Sequence, residues 1–140
     1  MGETTSRTPE LSLKDTFLRA VAGLPEEDVR AAVVAEALGY LQQGFDAHYA
    51  RGEATDDDVL VGDNAYALAV ETIARLDEPR FVAVASRMIR DGAGRIAAGE
   101  AVSLQMWIPH LAGLLDIISL EGEERSEARI TEAAGELLSG

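Results

Sequence analysis

The sequence predicts an all-α protein, a bundle of about six helices, on three observations. Hydrophobic residues fill 47% of the 140 positions but aromatics only 5%, and the surplus of Ala, Leu and Val suits packed helices better than a strand-rich sandwich. Apolar side chains recur at i, i+3 and i+4 through most of the chain, and no stretch shows a sustained two-residue alternation. Proline, glycine and acidic residues punctuate these runs where helices would start and stop. The length suits one domain, so residues 11–140 read as a single helical domain behind a polar, disordered tail at 1–10.

The first helix carries Leu13, Phe17, Leu18, Val21 and Leu24 on one face and stops at Gly23 and Pro25. Pro25, followed by Glu26, Glu27 and Asp28, reads as the start of a second helix that reaches about His48, with carboxylates at the positive end of its dipole. Thr55 offers an N-cap hydroxyl ahead of Asp56, Asp57 and Asp58. The third helix runs over about 56–76 and is so rich in apolar and small residues that it is expected to be buried on most sides. Asp77, Glu78 and Pro79 make a turn into a fourth helix marked by Phe81, Val84, Ala85, Met88, Ile89 and Ile96. Residues 103–120 read as one or two helices bent near Pro109, a lone strand within 101–108 being the alternative. A charged connection at 122–126 leads to a last helix over 127–138.

Charge and residue types exclude several functions. The net charge is −13, with Lys14 the sole lysine, so no basic stripe is expected and nucleic acid and anionic membranes are poor partners. The absence of cysteine removes disulfides, thiolate metal sites and thiol nucleophiles, which fits a reducing, cytoplasmic location. Residues 108–120 form the most apolar run, too short to span a bilayer and interrupted by His110 and Asp116. No transmembrane segment is expected.

No catalytic constellation is complete. Adjacent Asp56, Asp57 and Asp58 fan out about 100° apart on a helix, so they read as a charged helix start rather than converging ligands. His48 and His110 have no second ligand at metal-binding spacing. Gly92 and Gly94 lack the preceding strand and following lysine of a phosphate loop and read as close packing or a kink. Trp107 and Met106 read as core. The third helix has more apolar surface than a lone bundle needs, and Ala65, Ala67 and Ala69 permit close approach of a partner helix.

One stretch goes beyond generic helix. Leu41-Gln42-Gln43-Gly44-Phe45-Asp46-Ala47-His48, a loop, and then Val59-Leu60-Val61-Gly62-Asp63-Asn64-Ala65-Tyr66-Ala67-Leu68-Ala69 resembles the trans-polyprenyl diphosphate synthase family. There a helix ending in an Asp-rich motif precedes a helix opening on Leu-x-Gly-Asp, whose Gly-Asp position Gly62 and Asp63 match. Gly99-Glu100-Ala101 with Leu104-Gln105 is similar to a downstream Gly-Glu segment, and residues 128–140 are similar to its alanine- and glycine-rich helix. The resemblance covers roughly 25–140 and implies the N-terminal half of the isoprenoid synthase fold. The family clamps diphosphate through Mg²⁺ held by carboxylates one turn apart, yet Phe45-Asp46-Ala47-His48-Tyr49 keeps a single aspartate. Asp46 and His48 thus mark a degenerate metal-motif position, and the second Asp-rich motif has no counterpart.

Such a chain resembles the small, non-catalytic subunit of heterodimeric hexaprenyl or heptaprenyl diphosphate synthases. The resemblance implies a large catalytic subunit as partner, Mg²⁺ on that partner and none on this chain, and a part in setting product length. Tyr40, Leu41 and Phe45 are the candidates for lining or abutting the channel that takes the growing isoprenoid chain. The candidates for the subunit interface are Asp63, Tyr66, Leu68, Ala69, Thr72 and Met88. Two readings compete: a self-associating helical regulatory or small-ligand-binding module, and a stand-alone enzyme using Asp46, His48 and the Asp56 cluster, against which the spacing argues.

Overall fold

The computed structural model describes residues 12–24, 28–49, 56–100 and 103–139. They form six α-helices and, among the described residues, no strand: α1 Leu13–Val21, α2 Val29–Tyr49, α3 Asp56–Ala74, α4 Pro79–Ala97, α5 Leu104–Ser119 and α6 Glu123–Ser139. The all-α bundle expected from the sequence is the observed fold. The tail, the Pro25 to Glu27 helix start and the Thr55 cap lie outside the described residues. So do residues 101 and 102 of the alternative strand, whose remaining residues from Leu104 onward are helical.

Local chemistry sets the observed boundaries. Ser12 caps α1 by accepting the Asp15 N–H on its hydroxyl at 3.1 Å, a contact typically worth about 1 kcal/mol. Asp28 stands just ahead of α2 instead of inside its first turn, and its carboxylate accepts the Arg30 N–H at 2.9 Å. Asp77 turns the chain with a positive φ of 55°. Glu78 then caps α4, accepting the Arg80 N–H at 3.1 Å, and Pro79 occupies the first turn, where its missing N–H costs nothing. The C-terminus of α4 closes through Gly99 at φ 75°, with the Glu100 N–H donating to the Arg95 carbonyl and the Gly99 N–H to that of Ile96.

At the other end one expectation narrows and one changes. Residues 104–119 form one continuous helix with Pro109 inside it. α6 begins at Glu123, four residues before the expected start, because Leu120 adopts a left-handed φ of 59° and the Gly122 N–H donates to Asp116 Oδ1 at 2.8 Å. That compact turn leaves 123–126 free to be helical, and Glu123 and Glu124 supply the acidic first turn.

α2 is the central helix, packing against α1, α3, α4 and α5, while α6 closes over α1 and α5. Its side chains Val34, Leu38, Leu41 and Phe45 are buried and join Phe17, Phe81, Met88, Leu111, Leu115 and Ile130 in one core. Among the described residues α3 packs chiefly against α2 and α4. No helix among the described residues is long and apolar enough to cross a membrane.

Candidate functional site

Glycines let the helices that bear the family-like motif approach closely. A Cβ at Gly44 would lie 2.3 Å from Tyr66 Cε1 and 3.2 Å from the Gly62 carbonyl, so α2 and α3 cross where the Gly-Asp pair begins. Gly92 on α4 does the same one layer over, since a Cβ there would lie 2.5 Å from Phe45 Cε1 and 2.8 Å from Trp107 Cη2. This is the close packing its sequence context predicts. Phe45 stacks on Trp107 with ring centroids 4.8 Å apart and tilts against Tyr66 at 5.5 Å.

That aromatic column decides where the predicted channel residues go. Leu41 and Phe45 are buried in the chain's own core, and Tyr40 is half-buried against it. None opens onto a channel within the described residues; the space beside Phe45 is filled by Trp107. Asp46 is exposed on α2. His48 lies on α2, but its side chain is outside the described residues. Among the described residues no three acidic or imidazole groups converge to hold a metal ion.

The interface candidates divide. Ala69, Thr72 and Met88 are at most 1% exposed and face this chain's own helices, so they offer a partner no surface. Tyr66 and Leu68 are half-buried and Asp63 is exposed. Burial at α2 pushes the Tyr66 phenol up to about 12, with the nearby Asp63 charge adding to it.

Contrary to its expected burial, α3 leaves one side open. Leu60 is 66% and Val61 58% exposed. The row continues through exposed Asn64, Ala67, Glu71 and Ala74, with half-buried Leu68 at its border. Positions 60, 64, 67, 71 and 74 lie above one another on a helix, so this is one face. The exposed residues of α4 include Arg80, Arg87, Arg90 and Arg95. α4 holds four arginines and one aspartate, and Arg80 and Arg95 meet Glu78 and Glu100 at 2.9 and 3.5 Å.

Elsewhere several charged groups are engaged in one another. A cleft of about 290 Å³ between α1 and α6 is lined by Arg19, Gly23, Arg129 and Glu136 among others. Arg19 there pairs with Glu136 at 2.9 Å, and Arg129 pairs with Glu121 at 2.7 Å while donating to the Gly23 carbonyl at 3.3 Å. On α5, the His110 ring nitrogen meets Asp91 of α4 at 3.0 Å, a tie that sequence reasoning missed because the partners lie 19 residues apart.

No protein-family model matches the chain, nor does any curated protein or solved structure. The class that the fold defines is an all-α bundle of six helices among the described residues.

Proposed function

We propose that this chain is an accessory subunit that works bound to another protein, and that the partner is the large catalytic subunit of a trans-polyprenyl diphosphate synthase. The observation that carries the reading is the outward row of α3, where Leu60 and Val61 stand in solvent beside the Gly62-Asp63 pair. Leaving such a row uncovered forfeits about 25 cal/mol for each Å² of apolar surface that a partner helix would bury. The motif resemblance around Gly44 and Gly62 supplies the partner's identity.

Under this reading Mg²⁺ held by the catalytic subunit would assist departure of diphosphate from the allylic substrate; the double bond of isopentenyl diphosphate then adds to the cation, and loss of one proton restores an alkene. This chain lacks the clamp: Asp46 has no second carboxylate one turn away, since Ala50 stands at i+4 and Tyr49 at i+3. Leu41 and Phe45, being enclosed, act on product length by holding α2 against α3 and α4 rather than by touching the prenyl chain.

The test is prenyl transfer from farnesyl diphosphate and labelled isopentenyl diphosphate with Mg²⁺, using this chain alone, the synthase subunit from the same genome alone, and the mixture. Activity confined to the mixture is the expected result. Full activity of the large subunit alone, together with a stable homodimer of this chain, would replace the reading with the self-associating module.

A further inference from the structure

The cleft between α1 and α6 is a floor of small side chains under a ring of charge. Ala20 of α1 and Ala133 of α6, both buried, form the floor with Ala22 beside them, and the two packed helices leave about 290 Å³ of space above it. Gly23 bounds one end. A Cβ there would lie 3.0 Å from Arg129 Nη1, and its absence lets that guanidinium reach the Gly23 carbonyl at 3.3 Å. Arg129 is also gripped by both Glu121 carboxylate oxygens, at 2.7 and 3.1 Å, so it is a fixed wall.

Two other charged groups lining the cleft keep bonding capacity. Arg19 donates to Glu136 through Nε at 2.9 Å, and among the described residues no acceptor meets its two terminal nitrogens. Glu132 forms no hydrogen bond or ion pair among the described residues; its charge acts on Arg129 at a distance. Glu132 and Glu136 are four residues apart on α6, which sets their Cβ atoms about 5–6 Å from each other. Because Glu136 holds Arg19, an open guanidinium edge and an open carboxylate stand roughly one helical turn apart over the alanine floor.

We propose that this cleft binds a small zwitterion, an α-amino acid with an aliphatic side chain. Its carboxylate accepts from Nη1 and Nη2 of Arg19, in the two-pronged geometry that guanidinium favours. Its ammonium donates to Glu132, and its side chain lies on Ala20, Ala22 and Ala133. The charge pattern selects this class. The charged residues lining the cleft are two arginines and two glutamates, so a simple anion meets the glutamates as well as Arg19, and a simple cation meets the arginines as well as Glu132. A molecule carrying both signs satisfies both open groups. The proposal is independent of the subunit reading, since none of the lining residues belongs to α3 or α4.

The experiment is calorimetric titration and thermal melting of the full chain with three matched probes: L-leucine, isocaproate, which lacks the ammonium, and isoamylamine, which lacks the carboxylate. Amide NMR shifts locate the binding. The expected result is saturable L-leucine binding that perturbs α1 and α6 around the cleft and raises the melting temperature with ligand concentration. Each single-charge analogue should bind at least about tenfold more weakly, one charge-assisted contact being lost. Glu132→Gln, at an exposed position, should weaken L-leucine at least about tenfold without weakening isocaproate. Arg19→Gln should weaken L-leucine to a similar degree, and Arg87→Gln on α4 should leave it unchanged. Absence of saturable binding to wild type, equal affinity for the three probes, or L-leucine binding untouched by Glu132→Gln overturns the proposal.

Discussion

The two flanks of α2 differ in how the helices cover them. On one side α1, α5 and α6 close over each other: Phe17, Leu111, Leu115 and Ile130 are fully buried, and the surface is tied by Arg19 to Glu136 and Arg129 to Glu121. On the other side, among the described residues, α3 packs chiefly against α2 and α4, with Leu60 and Val61 in solvent. Exposed apolar side chains occur on both flanks, Leu18, Leu120 and Leu138 on the first and Leu60 and Val61 on the second. What sets α3 apart is that, among the described residues, its covering helices are chiefly α2 and α4.

Truncation separates the two flanks. Phe17→Ala removes a side chain with no exposure and is expected to cost about 3–5 kcal/mol in urea unfolding. Leu60→Ala, by contrast, should change stability by less than about 0.5 kcal/mol while weakening partner binding. A cost at Leu60 close to that at Phe17 would break the comparison.

The boundary between the flanks is the glycine seam. Gly92→Ala places a methyl against Phe45 and Trp107 and should destabilise by about 1–3 kcal/mol through overpacking. Gly94→Ala meets no neighbouring atom within 4 Å and should be neutral or slightly stabilising, as expected of a helical glycine. Paired thermal melts of the two variants read the difference directly.

Smaller effects come from titration. Folding raises the Tyr66 phenol from 10.0 to about 12, so its contribution is intact below pH 10 and is lost as pH rises through about 12. Tyr66→Phe should flatten that part of the melting-temperature profile. At the acid end, the hydrogen bond from Arg80 lowers the Glu78 carboxyl to about 2. The Glu78 cap therefore contributes above the usual carboxylate range and is lost as pH falls through about 2, a loss that Glu78→Gln should remove.

How much of this was legible in the sequence follows from the range of each interaction. The helices of 13–21, 56–74 and 79–97 are set by local periodicity, by capping at Ser12 and Glu78, and by Pro79, all of which lie within a few residues. The start of α6 was missed because it depends on a left-handed Leu120 and on Asp116 reaching forward to the Gly122 N–H, which composition does not encode. At the candidate site, Gly92 could be read as a packing position, but its partners Phe45 and Trp107 lie on two other helices. Ala69, Thr72 and Met88 were expected at an interface because the family resemblance puts one on their helices, whereas the fold buries them against the chain's own core. The four arginines of α4 were hidden by the net charge of −13. Their signal was local all the same: Arg80, Arg87 and Arg90 step along α4 at helical spacing opposite buried Phe81, Ala85 and Met88.

The central claim is that the open flank completes a prenyl-transferring assembly. The most direct measurement titrates wild-type chain and a folded Leu60→Glu/Val61→Glu variant into the catalytic subunit and follows labelled isopentenyl diphosphate incorporation. The account predicts saturable activation by wild type and none by the variant at the same concentrations. Equal activation by both, or none by wild type, would contradict it.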